Sequence, residues 1–247
     1  MSKKTRWIIF YIAVIVFFAA SYVTVVFALG YQYDFSARAF VRMGSFRVVA
    51  NTDADVSIND KRVGSLSFLG HSFSKGRLLP RSYTVRLHRD GYHEWKKNVE
   101  IVAGRFEDFP KVVLLPEKFE KEIVPSSSFG FPMPDSNIRV TKGKSLAFDA
   151  HSVSVEWLDG TDYQPFHKAG DFETLFSVTT PIDDVQWYRD HEHVFVSSAG
   201  ALFFYEIDPR GNINSYKITD LSGPFWYDAD ENSVYVMEGK NVVRLKL

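Results

Sequence analysis

Between Lys3, Lys4 and Arg6 on one side and Asp34 on the other, this chain carries no residue charged at neutral pH. The uncharged run from Trp7 to Leu29 is 23 residues long, about 34 Å as an α-helix and enough to cross a hydrocarbon core about 30 Å thick. A lone strand would leave its backbone groups unpaired in lipid, so the run is expected to be helical. Trp7 and Tyr11 at one end, and Tyr31 and Tyr33 at the other, suit the two interfacial belts. The three cations hold their end in the cytoplasm. The expectation is a single-pass protein of the cytoplasmic membrane, N-terminus inside, with everything from about residue 31 outside the cell. A cleaved signal peptide is the rival reading, with Val26-Phe27-Ala28 as its cleavage site, but the run exceeds the usual signal core of about 7–15 residues. A buried core helix would need a polar face, which Ser21, Thr24 and the tyrosines do not make.

The rest of the 247 residues have a globular profile, 45% apolar and 24% charged. There is no cysteine, which removes disulfides, thiolate-bound metals, thiol catalysis and a lipoprotein anchor together. A net charge of −1 argues against nucleic acid as a partner. The charge is unevenly spread, however. Residues 31–118 hold 15 Lys/Arg and 10 Asp/Glu, net +5, whereas 119–247 hold 11 and 20, net −9. The break falls in 117–134, where a charged run (117–122), Pro125-Ser126-Ser127-Ser128 and Pro132-Met133-Pro134 read as a linker. The expected order is a basic tip and membrane helix (1–30), a stalk (31–43), a small β-module (44–116), the linker, and a second β region (135–247).

In the small module, strand periodicity is plain. Phe46, Val48 and Ala50 share one face, Val56 and Ile58 resume after a polar turn, and Asn59-Asp60 makes the next turn. Tyr83, Val85 and Leu87 alternate with Thr84, Arg86 and His88, and Asp90-Gly91 turns the chain before Tyr92. Short strands without a helical period indicate an antiparallel sandwich. The segments Ala54 to Asp60, Gly64, Leu78-Leu79-Pro80-Arg81-Ser82-Tyr83-Thr84-Val85-Arg86 and Asp90-Gly91-Tyr92-His93-Glu94-Trp95 carry a family likeness. They resemble the PEGA domain, a small β-fold named for a Pro-Glu-Gly-Ala turn and common in bacterial and archaeal envelope proteins. In this chain Asn51-Thr52-Asp53 stands where Pro-Glu-Gly is usual, and Ala54 alone keeps the signature. The resemblance implies a surface-attachment or accessory module that is not catalytic.

The second β region looks periodic. Trp187-Tyr188 and Trp226-Tyr227 are 39 residues apart, and the same offset relates Phe195-Val196 to Val234-Tyr235 and Gly200 to Gly239. A fainter copy runs through 146–157. A period near 40 resembles the blades of a WD40-like β-propeller, which implies paired strands arranged around an axis. About 122 residues make some three blades, fewer than a ring needs. Completion by another copy or partner, a partial or degenerate ring, and an open stack all remain open. Exposed strand edges would favour self-association. The fold class expected is therefore an all-β ectodomain, a sandwich plus partial propeller-like repeats, behind one transmembrane helix.

Chemistry is harder to find. Tyr92 and Trp95 are the candidate ligand-binding residues, aromatics that either present a platform or cover the sandwich end. His88, His93 and Glu94 flank a turn that offers too few converging metal ligands. His191-Glu192-His193 has the i, i+2 spacing that sets two imidazoles on one strand face, with Asp183, Asp184 and Asp190 near in sequence. The adjacent Asp183 and Asp184 would point to opposite sides of a strand, the wrong geometry for paired acid and base. Asp228, Asp230, Glu231 and Asn232 resemble a calcium loop in composition but lack its glycine and terminal glutamate. No metal, cofactor or enzymatic activity is expected. The function expected is that of a non-catalytic, membrane-anchored envelope protein for surface attachment or envelope organisation, bound to an envelope protein or a cell-wall glycan. The alternative is an accessory or sensor subunit of a membrane complex.

Overall fold

The structure is a computed structural model in which residues 2–125, 129–132 and 136–247 are described. The serines 126–128 and residues 133–135 of the expected linker lie outside them. Half of the chain is strand and 11% helix, so the chain beyond the N-terminal helix is all-β. Two compact units divide the chain: Met1–Arg47 with Ser74–Ser82 and Glu100–Glu107, and Val48–Phe73 with Tyr83–Val99 and Asp108–Leu247.

The first unit opens with α1 (Lys3–Ala28), started by Ser2, whose hydroxyl accepts from the Thr5 amide at 3.2 Å. None of its residues is buried, and it is long and apolar enough to cross a membrane. Gly30, at φ +83, ends the turn. A hairpin comes next, β1 (Tyr31–Asp34) paired with β2 (Ala39–Arg42). Its turn is set by Asp34, whose carboxylate accepts from the Ser36 amide at 2.8 Å.

Seven strands succeed the hairpin: β3 (Gly44–Ala50), β4 (Asp55–Ile58), β5 (Lys61–Ser65), β6 (Ser72–Leu78), β7 (Ser82–His88), β8 (Trp95–Glu100) and β9 (Phe106–Val112). They form two sheets, ordered β6-β3-β9 and β5-β4-β7-β8. The alternation seen in the sequence is the burial pattern: Phe46, Val48 and Ala50 are buried, as are Val56 and Ile58, and Val85 and Leu87. Asn59 and Asp60 both have positive φ, the backbone that a tight two-residue hairpin demands.

The second unit contains three further four-stranded antiparallel sheets. Their strands are β10 (Glu120–Val124), β11 (Ile138–Thr141), β12 (Lys144–Phe148), β13 (Ser152–Trp157), β14 (Phe172–Ser177), β15 (Ile182–Trp187), β16 (His193–Ser198), β17 (Ala201–Glu206), β18 (Ser215–Asp220), β19 (Phe225–Asp228), β20 (Ser233–Glu238) and β21 (Asn241–Lys246). Strands β11 to β14 make the first sheet, β15 to β18 the second, and β19 to β21 with β10 the third. One apolar cluster, including Leu146, Val155, Trp157, Val185, Val194 and Val196, joins the first sheet to the second. Another, including Phe195, Phe204, Phe225, Val234, Val236 and Leu245, joins the second to the third.

The strand ladders correct two expectations. Residues 120–124, inside the span read as linker, are a strand. The charged run pairs with β21 as Glu120↔Lys246 and Glu122↔Arg244, so opposite charges lie across the ladder, with Arg244 and Glu122 3.5 Å apart. The alternating charge that looked like linker composition is the complement of β21. The repeat also falls at 40 residues rather than 39. Val194 and Val196 face the first sheet and Val234 and Val236 face the second; Val185 and Phe225 correspond in the same way. A 39-residue offset aligns the tryptophans but turns each strand over, because side chains alternate with a period of two.

Candidate functional site

One edge strand from each of the three sheets, β11, β15 and β19, meets the next along a polar seam. Arg139 on β11 donates from Nη2 to Asp184 Oδ1 on β15 at 2.5 Å. Asp184 Oδ2 accepts from Gln186 Nε2 at 2.8 Å. Gln186 reaches β19, donating to the Phe225 carbonyl at 3.1 Å and accepting from the Tyr227 amide at 2.9 Å. The Trp187 indole donates to the Arg139 carbonyl at 2.8 Å. These bonds satisfy buried polar groups where the three strands approach one another.

At the end of the seam, where these strands begin, lies a cleft of about 480 Å³, within the range of small-ligand sites. Its polar lining includes Arg139, Asp183, Asp184 and Ser197, and its apolar lining Phe148 and Phe225. The Arg139 guanidinium is held within the chain, Nη1 donating to the Ser136 and Ile138 carbonyls and Nη2 to Asp184. Its guanidinium lies 5.5 Å from the Phe148 ring centre, and its Nε is buried with no protein partner among the described residues. Asp184 takes one bond on each oxygen and stays partly exposed, whereas Asp183 is exposed. The bulge between Ile182 and Asp184 interrupts the alternation expected of the two aspartates. With one cation, two carboxylates and several hydroxyls, the cleft suits a hydroxyl- or amide-rich ligand better than a strongly charged one.

Two denser ionic clusters leave little room for a ligand. In one, Lys97 is fully buried, with Nζ 2.9 Å from Glu206 Oε2 and donating to the Asp208 carbonyl at 2.8 Å. Arg210 forks onto Asp208, with Nη2 to Oδ2 at 2.7 Å, and stacks over Phe109 at 4.1 Å. Asn212 and Asn214 bind the backbone of the β8 edge: Asn214 Oδ1 accepts from the Lys96 amide at 3.1 Å and Asn212 Nδ2 donates to the Lys96 carbonyl at 2.7 Å. In the other, Glu192 Oε1 receives Lys144 Nζ at 2.6 Å, Lys111 Nζ at 3.4 Å and the Tyr163 hydroxyl. Burial pushes the Lys144 ammonium down despite Glu192, and burial with the Glu192 contact pushes the Tyr163 phenol up. The void between these clusters is about 20 Å³, room for a single water.

The residues singled out from sequence fall as follows. Trp95 is 1% exposed, its indole N–H 3.4 Å from Glu206 Oε1 and its ring edge-to-face with Phe109. Tyr92 is half-buried under the Arg89 guanidinium, 4.6 Å from its ring centre. The two share no exposed platform. His93 stacks on Tyr216, and burial lowers its pKa against the pull of Glu117. His88 lies 3.3 Å from Asp90 on the surface.

His191 and His193 do not share a strand face. His191 sits in the turn at φ 56, before β16 begins at His193. His193 is buried, stacked on Phe204 and bonded through Nδ1 to Asp190 Oδ2 at 2.7 Å. Asp228 binds the amides of Asp230 and Glu231, which occupies the lead carboxylate of the calcium-like loop. Among the described residues no three His, Asp or Glu side chains are grouped to hold a metal ion.

Lys97 was legible in principle, since it shares strand parity with the buried Trp95 and Val99. The Arg139–Asp184 pair gave no local signal, because its members are 45 residues apart. No protein-family model matches the chain, and comparison with curated proteins finds no match.

Proposed function

We propose that the chain is a non-catalytic, membrane-anchored envelope protein, and that the cleft beside Arg139 and Asp184 is where it holds a polymer or protein of the envelope. The observation that carries this is the cleft itself: space for a ligand lined by Ser197, Phe148 and the exposed Asp183, beside an Arg139–Asp184 pair whose charges are matched to one another. In this reading α1 is the anchor, and Lys3, Lys4 and Arg6 keep the N-terminus in the cytoplasm. The PEGA-like module is an accessory element. The three sheets are propeller-like blades, with β10 completing the last of them.

The charge split of +5 and −9 favours a second reading, docking onto a membrane complex through charge, which would weaken with salt.

The cysteine-free chain makes topology easy to test. A single cysteine at Ser177 in intact cells should react with a membrane-impermeant maleimide, and one at Ser2 only after permeabilisation. The reverse pattern would refute the orientation. Membranes bearing the protein should retain envelope fragments at high salt. Retention lost with salt would favour the docking reading, and no retention at any salt would refute the attachment role.

A further inference from the structure

The β1–β2 hairpin has two unlike faces. Its register pairs Tyr33 with Phe40 and Tyr31 with Arg42, so these four residues share one side, while Gln32, Asp34, Ala39 and Val41 take the other. At the tip Phe35 packs edge-to-face on Tyr33 at 5.1 Å, and Tyr33 on Phe40 at 5.3 Å. This aromatic cluster is open: Phe35 is 85% and Phe40 46% exposed. Arg38 follows the tip and Arg42, exposed and lying over Gly104, follows Phe40 on the same face, against the single carboxylate of Asp34, which is engaged in its own turn. A two-stranded hairpin is marginal unless its apolar face is covered.

The helix end brings the hairpin base to the interface, and a hairpin lying across that end would set its aromatic face there too. Tyr31 is two residues beyond Leu29, a reach of about 7 Å at most, comparable with the interfacial layer outside the hydrocarbon core. The second strand returns to the same level, because the Met43 amide donates to the Gly30 carbonyl at 2.8 Å. Both ends of the hairpin base are therefore tied to the end of α1.

We propose that the β1–β2 hairpin is an interfacial collar, its aromatic face seated in the lipid headgroup layer of the leaflet that receives the C-terminal end of α1, with Arg38 and Arg42 on lipid phosphates. This rests on α1 being a membrane span. The collar fixes the height and tilt at which the β region leaves the membrane, a task a flexible stalk cannot perform.

The test uses the full chain in liposomes containing phosphatidylglycerol, with single cysteines at Phe17, Phe35, Phe40 or Ala39 carrying an environment-sensitive dye. Lipids brominated near the top of their acyl chains serve as quenchers. The Phe35 and Phe40 probes are made separately, so each variant keeps the other aromatic. Quenching at Phe35 and Phe40 should exceed that at Ala39, on the opposite face. Equal quenching at the three positions overturns the collar, as does protection of Phe35 by a co-purifying protein rather than lipid. If Phe17 escapes quenching from lipids brominated deep in the chain, the span itself fails. If Phe17 is quenched and Phe35 is not, the collar alone fails.

Discussion

The joint at Lys97 and the cleft at Arg139 are each built on a cation paired with a carboxylate of a distant strand, Glu206 and Asp184, and they differ in their surroundings. Lys97 is fully buried, Glu206 nearly so, and their polar atoms are met by Asp208, Asn214 and the Trp95 indole. Arg139 and Asp184 are partly exposed, at 15% and 22% of their side chains, beside open space. A buried pair answers a desolvation cost of several kcal/mol per ion by complete pairing, and loses badly when one member goes. A partly hydrated pair has a smaller cost to answer and can exchange a partner for a ligand. The joint is therefore read as structure and the cleft as recognition.

The largest effect expected is at the joint. Lys97→Met leaves the buried Glu206 without its cation, while Asp208 keeps Arg210, and should cost about 3–5 kcal/mol in denaturant unfolding of the detergent-solubilised chain. Adding Glu206→Gln should recover part of the loss, because it removes the stranded charge. If the double variant is no more stable than the single, lost packing rather than charge governs the joint.

Next comes Gly211, at φ +70 in the loop that binds β8. A Cβ there would collide with the Asn98 carbonyl oxygen. Gly211→Ala should cost about 2–3 kcal/mol, since both the backbone angle and the close approach oppose it. An effect near zero would mean that the loop and β8 are not held together as described.

His193 and Asp190 extend the comparison to pH. Burial opposes the charged imidazole, but Asp190, with help from Glu206 and Glu192, holds the His193 pKa above its ordinary 6.5. Burial likewise opposes the Asp190 carboxylate, yet His193, the Glu192 amide and Lys111 hold it below 3.8. The His193 contribution is thus complete below pH 6.5 and lost as pH rises through its folded value. That of Asp190 is complete above pH 3.8 and lost as pH falls through its own. His193→Gln should cost about 1–2 kcal/mol, with the gap from wild type widest between pH 3.8 and 6.5 and narrowing above. A gap independent of pH would show that stacking on Phe204, not charge, is what His193 contributes.

How far the sequence anticipates this contrast depends on the range of each interaction. Strand parity is local, and it marks Phe46, Val56 and Leu87 as core without further help; applied to β8, it also marks Lys97 and Trp95. An acceptor 109 residues away in Glu206 leaves no trace near Lys97, so the chemistry that makes its burial tolerable stays hidden. β10 escaped notice for the same reason, since Glu120 and Glu122 read as solvated charge until Lys246 and Arg244 lie opposite. The repeat shows a subtler limit. Matching tryptophans suggests 39, but burial obeys the face a residue points to, and only 40 preserves it. The Arg139–Asp184 cleft is the least legible feature, being assembled from the starts of three strands that no spacing rule connects.

The smallest effect on stability is expected at Arg139, and it separates the two regions most sharply. Arg139→Ala removes one partner of Asp184, which keeps Gln186 and partial hydration, and frees the Ser136 and Ile138 carbonyls to water, so the loss should be about 1 kcal/mol. The tie from β11 to β15 survives, because the Trp187 indole binds the backbone carbonyl of residue 139 rather than its side chain. Retention of envelope fragments should nevertheless fall about ten-fold, equivalent to about 1.4 kcal/mol. Arg139→Lys should behave like alanine in retention if the planar fork is what is read, and like wild type if charge suffices. Loss of fold together with retention would place Arg139 alongside Lys97 as a structural cation. Loss of retention with the fold intact would leave the cleft as the recognition site.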